Sequence, residues 1–518
     1  LFSPIHLYDR PELRSPENMR SLVTTTLAAI ALLFAVQGCD IIERTEPSTS
    51  VSQEVALSSP DAIRGIRASM YDRFHSFELT TEWLLGPTSL ADNTSFRSNQ
   101  GRHQQYNVNE RRAGLGTEAY DELYNTINEA NILLNGIEEG ALPEAVNNKY
   151  KAEAYFIRAL VQHHAVRIFG YDPNGNGGVV SPNSGSGQGF DLGIVLRTEP
   201  TLAIEDADSK ARATVPEVYS QINSDLDNAL QLFRALPSDV KENSRFLPSE
   251  AAVQALRARV KLYQRQWQSA DDAAQEAIDL AGATFGSDLA SPSELEAIFD
   301  ETTGDNPEAI FSIDTNPATE SPGVNDAISV YTSIQYGAQL PTQDLMSLYG
   351  SNDARRDAWY EPCYNEVADE AFSGCTGVNN QGLELHKYAS EQGVSRYADD
   401  YSHLRIAEMV LIQAEARLRT SGVSAAIGRL NDLRAKRNAS QLTAGNFNFD
   451  SAYDEILAER RRELVAEGHR FFDLKRLGRD IRKPDGSAIP FNDERVLDDL
   501  PPDQLEVNEK LRQNPGYN

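Results

Sequence analysis

Positive charge, cysteine and catalytic signature motifs are all scarce in this chain. Lys and Arg number 48 against 77 Asp and Glu, a net charge of −29. Such a surface repels phosphate backbones and anionic lipid headgroups, which excludes nucleic acid as an expected partner. No HExxH, GxSxG or P-loop sequence occurs, and His163-His164 point in different directions around a helix, a poor geometry for one metal. No catalytic residue, cofactor or metal is therefore expected. The 3 cysteines are Cys39, Cys363 and Cys375. Two isolated thiols lack the four-ligand set of zinc, so Cys363 and Cys375, with eleven residues between them, read as a disulfide closing a surface loop.

What is present begins with the N-terminus. From Met19 the chain reads MRSLVTTTLAAIALLFAVQGC, with Arg20 as a short basic start and an uncharged, mainly apolar stretch over 22–36. That stretch is shorter than the ~20 residues a spanning helix needs and reads as a signal peptide. Val36-Gln37-Gly38-Cys39 is similar to a bacterial lipobox, with Cys39 the lipidated residue. Residues 1–38 are then absent from the mature form, 1–18 being a mis-called start. The polar run 39–55 reads as a tether, against the competing readings of an uncleaved anchor or a buried helix.

The body, 56–518, is long enough for a sizeable core and reads as one mainly α domain. Thr214-Val-Pro-Glu217 is a capping box, followed by Val215, Val218, Tyr219, Ile222, Leu226, Leu230 and Phe233 on one face of a helix. Tyr120, Leu123, Tyr124, Ile127, Leu134 and Ile137 repeat the period, and Pro143 separates this helix from another over 149–169, a helical hairpin. Two further hairpins, 251–263 with 270–281 and 404–419 with 425–436, carry alanine at close-packing positions and are tetratricopeptide-like, with little β structure. Residues 282–403 lose periodicity, are rich in Gly, Pro, Asn and aromatics, and read as ligand-binding loops on a rigid scaffold.

Taken in order, several segments resemble the SusD/RagB family: AEAYFIRALVQHHAVRIFG at 152–170, VPEVYSQINSDLDNAL at 215–230, AAVQALRARVKLYQRQWQSADDAAQEAI at 251–278, LRIAEMVLIQAEARL at 404–418, LNDLRAKR at 430–437, ERRRELVAEGHRFFDLKRLG at 459–478 and LRQNPGY at 511–517. The resemblance implies a predominantly helical, tetratricopeptide-like protein tethered by lipid to the outside of an outer membrane. It would be a lid on a SusC-like, TonB-dependent transporter, delivering oligosaccharides or peptides without breaking bonds. The chain departs from the family by the insertion YDPNGNGGVVSPNSGSGQG after Gly170.

Sugar rings offer apolar faces to aromatic platforms and hydroxyls to polar partners. Trp83, Phe96, Tyr331, Tyr336, Trp359 and Tyr360 are the platform candidates, with Asp92 and Asn93 as hydroxyl partners, although each aromatic alone is more often core. Aromatics favour a glycan over the alternatives of an oligopeptide or of a pure assembly scaffold. The charged run 459–478 invites a catalytic reading through Glu463, Glu467, His469 and Arg470, but its acids and arginines can neutralise one another on a helix ending at Gly468. Asp172-Pro-Asn174-Gly-Asn176-Gly177 is similar to the start of a calcium loop, but its twelfth position is Asn183, and a flexible turn fits as well. If the lipobox reading holds, mass spectrometry finds acyl groups on an N-terminal Cys39, and Cys39→Ala releases the protein from membranes. A variant that stays membrane-bound defeats it.

Overall fold

The computed structural model describes residues 57–96, 105–109, 115, 119–171, 191–203, 208–295, 298–299, 306–315, 327–332, 339–365, 370–371, 382–388 and 400–517. The leader, Cys39, Tyr336, Cys375 and the Asp172 loop lie outside them. Cys363 is disulfide-bonded.

Helices dominate: α1 (Pro60–Asp72), α2 (Trp83–Ser89), α3 (Tyr120–Asn131), α4 (Glu144–Phe169), α5 (Val215–Ala235), α6 (Glu250–Tyr263), α7 (Trp267–Phe285), α8 (Ile406–Thr420), α9 (Val423–Lys436), α10 (Phe449–Glu463) and α11 (Arg470–Leu477). Thr214 caps α5 in the expected box, its side chain accepting from the Glu217 amide while Glu217 accepts from Thr214. Ala270, Ala273, Ala274, Ala277 and Ala281 make the buried stripe of α7. These methyl groups let α7 lie against both α6 and α8, while α4 packs on α3 and α5, and α8 on α9 and α10. Leu57–Asn518 forms one compact unit.

The strands are short: β1 (Thr94–Phe96), β2 (Ala309–Ile313), β3 (Gln339–Pro341), β4 (Tyr360–Pro362), β5 (Leu383–Leu385) and β6 (Tyr401–Arg405). Antiparallel pairs form between β1 and β3, β2 and β6, and β4 and β5. The pairing of β2 with β6 corrects one expectation. Leu404 and Arg405 are strand, not the start of a helix, and the stretch 282–403 supplies β2 and the first residues of β6 to the core. Every residue of both strands is buried, and Ile406 donates to the Glu308 carbonyl at 2.8 Å. The period was invisible because a strand buried on both faces has no alternation to read.

The charged run also folds differently. Helix α10 ends at Glu463, not Gly468, because Ala466 and Gly468 take positive φ of 59° and 75°. At Gly468 any side chain is excluded: a Cβ would meet the Trp83 carbonyl at 2.6 Å, and the Gly468 amide donates to Leu84 at 2.9 Å. The turn still returns Glu467 to the same cluster as Glu463.

Glu463 is wholly buried and grips three guanidinium groups from separate segments. Oε1 lies 2.8 Å from Arg405 and 2.7 Å from Arg437, and Oε2 lies 2.8 Å from Arg355. Glu308 bridges Arg405 and Arg437 at 2.8 and 2.6 Å, Glu467 joins Arg405 to Lys387, and Glu459 lies 2.7 Å from Arg355. Burial pushes the Glu463 carboxyl up, but Arg437, Arg405 and Arg355 outweigh it and hold it well below the usual carboxylate range. Beside this cluster, Trp83 stacks on His164 at 3.5 Å and meets His403 edge-on at 5.0 Å.

Glu463→Gln leaves buried cations short of a counter-charge and is expected to destabilise by about 3–5 kcal/mol, read by denaturant unfolding. A loss below about 1 kcal/mol would mean that the cluster relaxes around the amide. The imidazoles generate a pH dependence. Burial, then Arg259 and Arg167, lowers His403 to about 3, and burial lowers His163, His164 and His469 well below their ordinary value. Each stays neutral in the fold while the unfolded chain takes up protons near pH 6.5, so stability present above that pH is lost on acidification towards the folded value. The slope is about 1.4 kcal/mol per pH unit for each such histidine. Thermal melts from about pH 7.5 to about pH 5 test this, and a flat midpoint contradicts it.

Candidate functional site

Among the described residues, those singled out from sequence do not converge on a solvent-facing surface. Trp83 opens α2 and is 2% exposed. Trp359 ends a short helix, Ala354–Trp359, and is fully buried, its indole donating to Leu295 at 3.3 Å under Lys387, whose ammonium sits 4.1 Å from the ring centre. Tyr360 is buried in β4, with its hydroxyl 3.1 Å from that of Tyr349. Phe96 is buried in β1 against Tyr106, and Tyr331, in the helix Ile328–Thr332, leans on Phe77 with ring centres 5.2 Å apart. These placements correct the expectation of loop platforms: each of these rings is packed into the core against other side chains.

Asp92 and Asn93 are corrected likewise. Asp92 is held bidentately by Arg470 at 2.7 Å on both oxygens, with Arg461 3.7 Å away. Burial pushes its carboxyl up, yet the two arginines pull it down to about 2. Asn93 is fully buried and accepts from Arg461 at 2.9 Å. Both tie the α2–β1 connection to the C-terminal charged run, through both carboxylate oxygens of Asp92 and the amide oxygen of Asn93. Glu463, Glu467 and Arg470 are engaged in the same way, in ion pairs that a sequence reader can suspect only as helix-face neighbours. His469 is buried 3.9 Å from Glu408.

Three recesses stand out among the described residues, and none of these is lined by a sequence-selected site residue. The roomiest of the three, about 130 Å³ and open to solvent, lies at the ends of α4, α5, α6 and α7. Phe233, Leu247 and Leu280 give it an apolar floor, and its rim carries the ion pairs Lys149–Glu242 and Lys241–Glu250. A second, with only about 20 Å³ of room, is walled by Tyr171, Tyr219, Tyr263 and Phe472, with Arg167 and Lys475 beside them. In the sequence, Arg167 looks like an ordinary basic residue in the last turn of a helix, where it suits the dipole, and nothing local marks it as part of a recess. The described residues contain no group of acidic, histidine or cysteine side chains arranged to hold a metal ion.

With this geometry in view, comparison with known proteins is consistent over the whole chain. Residues 360–517 match the model of the SusD family, and residues 43–262 match the model described as starch-binding associating with outer membrane. SusD-like protein P2 of Formosa agariphila is 27% identical, the alignment covering 94% of this chain and 98% of the relative. SusD-like protein P38 of the same organism is 24% identical, covering 96% and 99%. A SusD superfamily protein from Bacteroides thetaiotaomicron shares the fold with a TM-score of 0.73 at 22% identity, over 88% of this chain and all of its own. A laminarin-binding SusD-like protein superposes with a TM-score of 0.67 at 21% identity, over 89% of this chain. Two family models on opposite halves, relatives aligned nearly end to end and one shared helical architecture agree: the chain belongs to the SusD/RagB family.

Proposed function

We propose that this protein is a glycan-binding subunit at the outer membrane, anchored by lipid at Cys39, which captures oligosaccharide outside the cell and passes it to a SusC-like, TonB-dependent barrel. The observation that carries the reading is the match of residues 43–262 to the model for starch-binding proteins that associate with the outer membrane, in a chain whose other end matches the SusD family. A fold neighbour named for laminarin binding supports a glycan over a peptide.

Binding without bond-breaking is part of the proposal. A general acid needs a carboxyl whose proton is available near neutral pH, and a nucleophile needs a free approach. In the charged run 459–478, Glu459, Glu463, Glu467 and Asp473 are all buried and clamped by guanidinium groups, and their carboxyls are held below the ordinary range. Such carboxylates serve as structural anions.

The test is native gel electrophoresis of the purified protein through laminarin, starch and other neutral polysaccharides, with calorimetry on whichever retards it. The expected result is retardation by at least one polymer without release of reducing ends. Retention on mixed oligopeptides with no glycan response would transfer the reading to a peptide binder, and release of reducing ends would make the protein a hydrolase. Detergent extracts of the native membrane are expected to co-purify a TonB-dependent barrel, and recovery of the protein alone removes that part of the reading.

A further inference from the structure

The connection from α5 to α6, residues 236–249, forms one wall of the recess at the ends of α4 to α7. Two ion pairs fasten that wall: Lys241 to Glu250 at the start of α6, at 2.9 Å, and Glu242 to Lys149 on α4. They differ from the pairs of the Glu463 cluster. The side chains of Glu242 and Glu250 are 53% and 24% exposed, so their oxygens meet water and keep lone pairs for a ligand. Lys149 is the opposite, with a side chain only 8% exposed and Glu242 as its acid partner. An ammonium carries three donors, more than that one pair uses.

Glu153 also lines the recess, but it is spent. Arg67 binds it through Nε and Nη2 at 2.5 and 3.0 Å, and the Tyr71 hydroxyl donates to it at 2.9 Å. A carboxylate held in this way is badly placed to give a proton to a ligand, so the recess is equipped to bind and not to cleave. Donors and acceptors on the rim therefore surround an apolar floor of Phe233, Leu247 and Leu280. A pyranose has the same division, with C–H faces and a girdle of hydroxyls that donate and accept.

Size narrows the ligand further. The other two recesses have about 20 Å³ each, room for about one water, whereas about 130 Å³ approaches the ~150 Å³ cavity that holds one benzene ring. It is below the ~300 Å³ at which sites for drug-sized ligands begin, so a length of chain does not fit inside. Because the recess opens to solvent, one ring can enter while its linkage and outer hydroxyls stay outside. Charge narrows it again: two rim lysines face two glutamates, and the net charge of −29 opposes an acidic sugar.

We propose that this recess takes the terminal, neutral hexose of a glucan end-on, with a C–H face on Phe233 and Leu280 and hydroxyls between Lys149 and Glu242. This rests on the glycan-binding reading and deepens it, because such a site reads the end of a chain and not its length. A ring seated there touches both α4 and the 236–249 wall, so binding slows local opening of that wall.

The experiment is hydrogen exchange of the full protein, read by mass spectrometry on peptides from 236–249, with maltotriose, laminaritriose and cyclomaltohexaose. At least one trisaccharide is expected to slow exchange there, and cyclomaltohexaose, which has no chain end, is expected to leave it unchanged. Thr284, exposed at the rim, allows a plug: Thr284→Trp is expected to abolish the protection while keeping the thermal midpoint. Glu242→Gln is expected to weaken trisaccharide binding there about tenfold, as loss of a hydrogen bond to a charged group does. Crystals of the unaltered protein soaked in the protecting trisaccharide, which do not depend on a variant folding, are expected to show one ring over Phe233. Unchanged exchange with both trisaccharides overturns the proposal, as does protection that survives in a folded Thr284→Trp or is matched by cyclomaltohexaose. Density in the soaked crystals without protection in solution is binding at crystal concentration only and also overturns it. If a polysaccharide still retards the protein in gels while the recess stays empty, the glycan reading survives and this site alone is lost. No retardation and an empty recess together defeat both.

Discussion

Glu463 carries one negative charge into the buried interior, and the fold around it has to answer that charge. A carboxylate there is tolerable only if cations reach it with good geometry, and Arg355, Arg405 and Arg437 do so at 2.7–2.8 Å. These residues come from a short helix inside the irregular region, from the end of β6 and from the end of α9. Ion pairing thus ties the aromatic-rich stretch to the helical hairpins, where alanine packing alone supplies only close approach. Glu308, Glu459 and Glu467 complete the cluster, so each arginine has acids on more than one side and no single swing of a side chain satisfies the set.

Much of this architecture was legible as periodicity. The capping box at Thr214, the stripe from Val215 to Phe233 and the alanines of α7 were readable because each is a local pattern whose burial follows from helix geometry. The boundaries that failed are those set by distant partners. Nothing near Glu463 announces that α10 stops there: the chain turns through positive φ at Ala466 and Gly468, and Gly468 is seated against the distant Trp83 carbonyl. Likewise β2 and β6 are wholly buried, so they show no alternation, and their pairing joins residues about ninety apart in the chain.

The candidate site was less legible for a related reason. Trp83 and Trp359 looked like loop platforms because aromatic residues without periodicity give no direction for burial. The structure gives Trp83 a stacked imidazole and Trp359 an ammonium, contacts that use the same ring faces a sugar would use. Asp92 shows the converse, a loop acid read as a hydroxyl partner whose oxygens are both taken by Arg470. A sequence lists donors and acceptors without showing which are already spent inside the protein.

That distinction organises the electrostatics of the molecule. Arg158, Arg259 and Arg476 sit in the core against carboxylates, so their charges cancel locally and contribute little to the outward field, which the surplus of acids dominates. Against this background an unpaired buried guanidinium stands out more than any surface lysine, because surface charge is screened by salt and buried charge is screened much less. Arg167 is in that position, beside His164 and faced by rings. Buried arginines of this fold differ in whether the fold itself supplies the counter-charge. For Arg405 it does so several times over, and for Arg167 it supplies only π faces and a neutral imidazole.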